Sequence, residues 1–276
     1  IKLGAAGDLE VYHDGSNSFI DDAGTGNLQI RANAQVKLQK YTGENMFVGI
    51  ADGASSMYHD NVQTIATTST GASITGGVTY TGDLVSTTSG TSNFRAGVNA
   101  GNSIASGGNN NVLVGDEAGT ALTTGDGNVA VGFEALKTED AHGNNVAVGY
   151  RALKDLNAGA TGNNTAVGYN SGANITTGTS NTVVGTNAGD ALTEGADNVA
   201  IGAFTLSAED AHGRNIAIGR NALIVLNAGT NGNNVAIGYN AGASVTTGTK
   251  NVFIGSFCGD ATDDGEENTA VGYGAL

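Results

Sequence analysis

The most regular feature of the chain is a five-residue motif in which apolar positions alternate and a glycine closes the run. In Asn145-Val146-Ala147-Val148-Gly149, an Asn precedes two β-branched residues that flank an Ala. This alternation predicts a short β-strand, because successive side chains of a strand point to opposite faces. The closing glycine predicts a corner with a positive φ, which glycine adopts without steric cost.

The motif occurs ten times, at spacings of 17, 17, 19, 17, 17, 17, 19, 17 and 17 residues, so that four units make a 70-residue super-repeat. The residue three before each of these anchor glycines is Val, Ile or Thr, and the residue directly before it is Val or Ile. The predicted structural repeat residues are Asn111, Gly115, Asn128, Gly132, Asn145, Gly149, Asn164, Gly168, Asn181, Gly185, Asn198, Gly202, Asn215, Gly219, Asn234, Gly238, Asn251, Gly255, Asn268 and Gly272.

Positions after the anchor glycine are also regular. The third residue is small, as in Ala135, Ser171 and Cys258, and the fourth follows the order Gly, Leu, Leu, Gly. Such a period is typical of solenoids, in which each repeat packs only on its neighbours. We predict a parallel β-roll of about ten to eleven coils over residues 93–276, with Asn93–Gly97 as a degenerate first coil. Stacked asparagines are expected to form an amide ladder along it.

The small coil sets an expectation for assembly. With Val and Ala inside, a coil of 17 residues has a thin core, whereas each buried large apolar side chain contributes about 1.5–3 kcal/mol. Association of several chains would bury the Val, Ile and Leu side chains that one coil cannot hide. We therefore expect an intertwined oligomer, although the pattern does not count its subunits.

Residues 1–92 lack the 17-residue period and read as short strands between glycine-rich turns. The predicted strands are 9–12, 27–31, 35–39, 45–49, 73–75, 78–80 and 83–85. The stretch from Thr64 to Thr91 is rich in Thr, Ser and Gly, as expected of a fibre shaft. The sequence thus predicts an all-β chain with a β-rich module over 1–63, a shaft or linker over 64–92 and the β-roll over 93–276.

Composition excludes several function classes. The chain has 45 Gly, no Pro, no Trp and a net charge of −15. Binding to phosphates or to anionic membranes depends on Lys and Arg, so neither nucleic acid nor membrane insertion is expected. No run approaches the ~20 apolar residues of a membrane-spanning helix, and a single Cys excludes an intrachain disulfide. Because the chain opens at Ile1 and stops within a motif, we expect a longer parent polypeptide.

Four histidines and one acidic run are the candidates for metal binding. His142 and His212 are super-repeat equivalents, and a histidine near a trimer axis can hold a metal, but neither these nor His13 and His59 belong to a His-x-His pair or a Cys/His cluster. The run 263–267 lacks the alternating ligand spacing of a calcium loop. A solvated surface position is the better interpretation of both, so we predict no cofactor and no metal site, with Ca²⁺ or an axial metal as a minor alternative.

Candidate chemistry outside metals is equally sparse. Aromatic residues follow the anchor glycine at Phe133, Tyr150, Tyr169, Tyr239 and Tyr273. They could form a sugar platform, but corner packing is the better interpretation. Cys258 occupies the small-residue position and reads as core rather than nucleophile. The turns are too short and uniform to build a cleft around paired carboxylates, and no Walker loop, nucleophile elbow or zinc motif is present. We predict no catalytic residue and no enzyme.

Two resemblances extend this picture. The segments Gly7–Arg31 and Met57–Gly71 resemble a module of tail-fibre and other virion proteins of marine phages, especially cyanophages, over roughly residues 7–87. The run Asn144–Tyr150 and its copies resemble the head repeats of trimeric autotransporter adhesins, and similar repeats occur in phage fibres that end in a self-cleaving chaperone. The second resemblance implies a left-handed trimeric β-roll, although coils of 17 or 19 residues are longer than the adhesin pattern.

Together these features predict a homotrimeric virion fibre segment, located in a phage tail fibre, that spaces and presents receptor binding. Its expected partners are its own copies, other virion tail or fibre proteins and a host cell-surface receptor, with a glycan as the expected class. One alternative is a bacterial trimeric surface adhesin at the cell surface. Another is a monomeric β-helix of the ice-binding or acyltransferase-like type, which the 17-residue coil and the Thr-Thr-Gly turns also permit.

Overall fold

The computed structural model describes residues 2–3, 9–22, 27–69, 71–76, 90–159, 161–209 and 211–276. The chain divides into two compact units, Ile1–Asp83 and Leu84–Leu276. Every regular element in the described ranges is a β-strand, which confirms the predicted all-β class. Within those ranges, no helix has the length and apolar character needed to cross a membrane.

The first unit contains two antiparallel sheets, one with strand order β1-β2-β3 and one with order β4-β5-β6-β7-β8. Their strands are β1 (Lys2–Leu3), β2 (Leu9–His13), β3 (Ser18–Asp22), β4 (Gln35–Gln39), β5 (Asn45–Ile50), β6 (Ser55–His59), β7 (Val62–Thr68) and β8 (Gly71–Ile74). Four predicted strands match or overlap β2, β4, β5 and β8.

One predicted strand is wrong. Residues 27–31 form no strand, because no described segment pairs with them and Leu28 and Ile30 stay 46% and 65% exposed. Sequence alternation alone cannot supply the neighbouring strand that a ladder requires. The predicted strands at 78–80 and 83–85 lie outside the described residues.

The second unit is the predicted parallel solenoid. Its strands are β9 (Phe94–Ala96), β10 (Val112–Val114), β11 (Val129–Val131), β12 (Val146–Val148), β13 (Thr165–Val167), β14 (Thr182–Val184), β15 (Val199–Ile201), β16 (Ile216–Ile218), β17 (Val235–Ile237), β18 (Val252–Ile254) and β19 (Thr269–Val271). These eleven strands pair in chain order within one sheet. Equivalent residues pair throughout, as Val146 with Val129 and with Thr165, so the two 19-residue coils keep the register.

The solenoid interior is filled by the middle residue of each strand and by residues of the following turn. The middle residues of β10–β18 are fully buried, whereas the first and third residues point to the other face and are partly exposed. The expectation that the repeated Val side chains fill the interior is therefore wrong. A three-residue strand turns only one side chain inward, and in most coils that residue is Ala.

Size complementarity explains why the fourth residue after the anchor glycine alternates between Gly and Leu. Phe253 fills the interior of its coil, and a Cβ on Gly259 would lie 2.5 Å from its ring atom Cδ1. Where the strand contributes only Ala217, the fourth residue is Leu223, which is fully buried. The other large residues, Leu113 and Val183, are likewise matched by Gly119 and Gly189, and the other Leu residues by Ala. Close packing therefore links two positions six residues apart.

Each coil turns its corners through several left-handed residues. The anchor glycines have φ between 124° and 142°, which confirms the predicted positive φ. Left-handed φ values also occur two and four residues after the glycine and five before the next one, as at Glu134 (53°), Leu136 (52°) and Asn144 (61°). This conformation costs a non-glycine residue about 1–2 kcal/mol. Hydrogen bonds and packing between coils must offset that cost, since sequence preference does not.

Candidate functional site

The predicted asparagines form a ladder along the solenoid. From Asn93 to Asn268, the side-chain Oδ1 of each Asn accepts the backbone N–H of the Asn one coil later, at 2.8–3.2 Å. The Nδ2 group donates as well, for example from Asn181 to the carbonyl oxygen of Gly195 at 2.7 Å. All but the last rung are buried. The ladder is confirmed, and each rung joins its own turn to the next coil.

The anchor glycines stack directly beside the ladder. The N–H of Gly168 donates to the carbonyl oxygen of Val148 at 2.8 Å, and this brings consecutive corners close together. A Cβ on Gly149 would lie 2.2 Å from the carbonyl oxygen of Gly168. The position therefore requires glycine both for its φ and for the approach of the next coil.

The first and third residues of β10–β19 form a continuous apolar stripe, which we call the outward strand face. All twenty of these positions are Val, Ile or Thr. Interior examples remain substantially exposed, with Val167 at 38%, Ile201 at 37% and Ile254 at 39%. A contiguous apolar surface of this kind marks an interaction site rather than a solvent face.

The predicted aromatic stripe is a stack of rings along one edge of the solenoid. The ring centroids of Phe133 and Tyr150 lie 5.3 Å apart at 18°, and those of Tyr150 and Tyr169 lie 5.1 Å apart at 7°. The Arg151 guanidinium carbon lies 5.1 Å from the Tyr150 centroid. Farther along, Tyr239, Phe257 and Tyr273 meet edge to face. Neighbouring rings cover both faces of Tyr150, so the stack fits corner packing better than stacking of a sugar on a ring face.

Positions two and five after the anchor glycine meet at what we call the polar corner. Lys137 Nζ lies 2.5 Å from Glu117 Oε2 in the preceding coil and 2.8 Å from Glu134 Oε1 in its own. Arg151 Nε, in the following coil, lies 2.7 Å from Glu134 Oε2. The hydrogen bond from Lys137 holds the pKa of Glu134 below its ordinary value, and that to Glu117 raises the pKa of Lys137. These cations join three coils.

The super-repeat histidines belong to a buried turn brace. Glu139 is fully buried; its Oε1 accepts the backbone N–H of His142 at 3.0 Å and lies 3.2 Å from Nδ1 of that ring. Its Oε2 accepts the N–H of Ala158, in the next coil, at 3.2 Å. Glu209 binds His212 and Ala228 in the same way, and burial raises its pKa.

Among the described residues, Glu139, Asp140 and His142 form the one group of three metal-ligand types, with ligand atoms within 4.8 Å of one another. Both Glu139 oxygens already accept hydrogen bonds from the turn that they hold together. The local geometry therefore explains this buried carboxylate as a brace between coils without a metal. Sequence analysis missed it, although the signal was visible: the seventh residue after the glycine is Leu, Ile, Val or Thr in other coils and Glu only at 139 and 209.

The remaining candidates lie apart from one another. His13 is exposed beside Ser18, and the His59 side chain is 84% exposed. In the acidic run, Asp263 accepts the N–H of Asp264. Cys258 is buried and donates to the carbonyl oxygen of Ala270 at 3.1 Å, so it occupies the core as predicted.

The last residue of that acidic run, Glu267, pairs with Lys250 at 2.9 Å. A comparison of the chain with protein-family models, curated proteins and solved structures finds no match. The ladder, the outward strand face and the polar corner are therefore the features on which a functional interpretation rests.

Proposed function

We propose that this chain is a structural segment of a phage tail fibre, in which three copies associate along their outward strand faces and hold a receptor-binding tip away from the particle. The observation that carries the proposal is the unbroken Val, Ile and Thr stripe on ten consecutive strands. Burying apolar surface contributes about 25 cal/mol per Å², so a stripe of this length favours lateral association with other copies. The number three comes from the resemblance to trimeric repeats.

The internal bonding supports a mechanical role. Each coil is joined to both neighbours by strand pairs, ladder bonds and stacked corners, so the chain transmits load through many equivalent contacts. Repeat proteins gain stability from such nearest-neighbour interfaces. A spacer needs regularity and length rather than a cleft. Presentation of a tip by three chains would add avidity at the host surface.

Sedimentation of the purified chain tests the assembly. The wild-type chain is expected to sediment as a trimer, and replacing Ile201 and Ile218 with Lys should place charges in the outward strand face and shift it to monomer. Thr186→Lys adds the same charge at an exposed position outside the face and should leave the trimer intact. A wild-type chain that is folded by circular dichroism but monomeric would overturn the trimer and favour the monomeric β-helix.

Immunogold labelling tests the location. Antibodies raised against residues 93–276 are expected to label the tails of virions from the culture that supplies the gene. Labelling confined to the envelope of uninfected cells would instead support a bacterial surface adhesin.

A further inference from the structure

The polar corner carries three buried oxygen atoms that accept no hydrogen bond. These are Oδ1 of Asn170, Oδ1 of Asn187 and Oδ1 of Asp190. Asn170 and Asn187 occupy the same corner position in consecutive coils, and the N–H of Asn187 donates to the carbonyl oxygen of Tyr169 at 2.9 Å, so the two coils are in direct contact. Buried acceptors in native proteins almost always have a partner, and a bound water or ion is a common one.

The preceding super-repeat shows what satisfies this corner when the chain supplies its own cation. Adding 70 residues converts Glu117 to Asn187 and Lys137 to Ser207. In the first super-repeat, the Lys137 ammonium lies between Glu117 and Glu134 and neutralises both. In the second, the corresponding Ser207 side chain is short and uncharged. The acceptors are therefore kept, whereas the cation that served the equivalent corner is lost.

Nearby groups leave the Asp190 carboxylate without a countercharge. Position two after the glycine contacts position five in this fold, as Glu134 does Lys137 at 2.8 Å, and Asn187 and Asp190 hold those positions in their coil. The Ser207 hydroxyl donates to the backbone carbonyl of Asn187 at 3.1 Å, so its single proton cannot also serve Asp190. Asn174 Nδ2 binds only the backbone oxygen of Asp190. Desolvation raises the pKa of Asp190, as expected for a buried carboxylate that lacks a cation.

We propose that the corner formed by Asn170, Asn187, Asp190 and Ser207 binds a Ca²⁺ ion, which takes the place that the Lys137 ammonium fills one super-repeat earlier. One carboxylate, two amide oxygens and a hydroxyl are the oxygen ligands that Ca²⁺ prefers, with water or backbone carbonyls completing its shell. The ligands come from three successive coils, so the bound ion would join them as Lys137 and Arg151 join three coils of the first super-repeat. This inference does not depend on the proposed fibre function.

Calorimetric titration of the EDTA-treated full chain with CaCl₂ tests the site. The wild-type chain is expected to show saturable binding and an upward shift of Tm with Ca²⁺. Asp190→Asn should abolish this binding, because it removes the only carboxylate among the four proposed ligands. Asp260→Asn, at the same position of a later coil but beside Phe257 rather than an Asn, should bind as the wild type does.

Ser207→Lys is the decisive variant, because it restores the ammonium of the first super-repeat. It is expected to lose Ca²⁺ binding while its Tm without Ca²⁺ equals or exceeds that of the wild type, which a variant that merely misfolds would not show. Binding that survives in Asp190→Asn but disappears in Asp140→Asn would assign the ion to the Glu139 group and overturn the proposal. The absence of Ca²⁺ binding in the wild type, as expected if a rotated Asn187 amide donates to Asp190, would overturn it as well.

Discussion

The Oδ1 atom of Asn198 accepts the backbone N–H of Asn215, 3.0 Å away and one coil farther along the chain. The same side chain uses Nδ2 to bind the carbonyl oxygen of His212 at 3.2 Å. One amide thus satisfies a donor and an acceptor of the main chain in a place that water does not reach. Since Asn carries both an acceptor and donors on a short side chain, this relationship explains why the same residue occurs at every rung.

Asn198→Ala is therefore expected to destabilise the solenoid by about 2–4 kcal/mol, because it leaves a buried N–H and a buried carbonyl without partners. Urea unfolding followed by circular dichroism measures the change. Asn268→Ala is the matched control: this rung is only half-buried, so its loss should cost less than half as much. Equal costs at the two rungs would show that burial of the ladder does not set its contribution.

Gly149→Ala is expected to disrupt the stacking of coils. The added Cβ would lie 2.2 Å from the carbonyl oxygen of Gly168, a backbone atom that cannot move without separating the strands, and φ is 137°. We expect a loss of more than ~3 kcal/mol in the free energy of unfolding. Gly159→Ala isolates the conformational part, since Gly159 also has a positive φ of 65° but open space around it, and should cost only about 1 kcal/mol. Similar losses in both variants would contradict the steric argument.

The pair Phe253 and Gly259 offers a test of size complementarity. Phe253→Ala alone should cost about 3–5 kcal/mol by leaving a cavity, and Gly259→Leu alone should be destabilising because its side chain would overlap the Phe253 ring. The double variant recreates the Ala and Leu combination of Ala217 and Leu223, so it should be more stable than either single variant. Thermal unfolding of the four proteins gives the coupling energy directly. Additive losses would exclude a shared space.

Stability should depend on pH through the buried brace. Burial raises the pKa of Glu209, so the folded state binds this proton more tightly than the unfolded state, whose carboxyl titrates near pH ~4. By linkage, the contribution of Glu209 is greatest below that unfolded pKa and declines as pH rises through the interval up to the folded pKa. Glu209→Gln should flatten this decline, as measured by urea unfolding at a series of pH values.

Glu267 provides the control of opposite sign. Its hydrogen bond with Lys250 lowers its pKa, so its contribution is present at neutral pH and is lost as pH falls. Glu267→Gln should therefore remove a small rise of stability with pH instead of a decline. An unchanged pH profile in Glu209→Gln would show that the buried carboxyl does not titrate differently on folding.

Sequence alone determined the repeat, and with it the strands, the register and the ladder. Asn145, Val146 and Gly149 recur at fixed spacing, and a fixed spacing can be satisfied only if equivalent residues lie over one another. The strand at 27–31 was predicted by the same alternation and is wrong, because pairing depends on a second segment that local sequence does not specify.

Tertiary structure alone decided which side of each strand faces inward, and therefore that Ala217 is buried while Ile218 points outward. Local sequence favours neither face of a three-residue strand; the stacked turns decide it by filling the interior with Leu223. The same stacking holds Glu134 and Leu136 in left-handed conformations and buries Glu209 in an apolar column. Each of these arrangements is unfavourable in an isolated coil and persists because the neighbouring coils supply the hydrogen bonds and contacts that offset its cost.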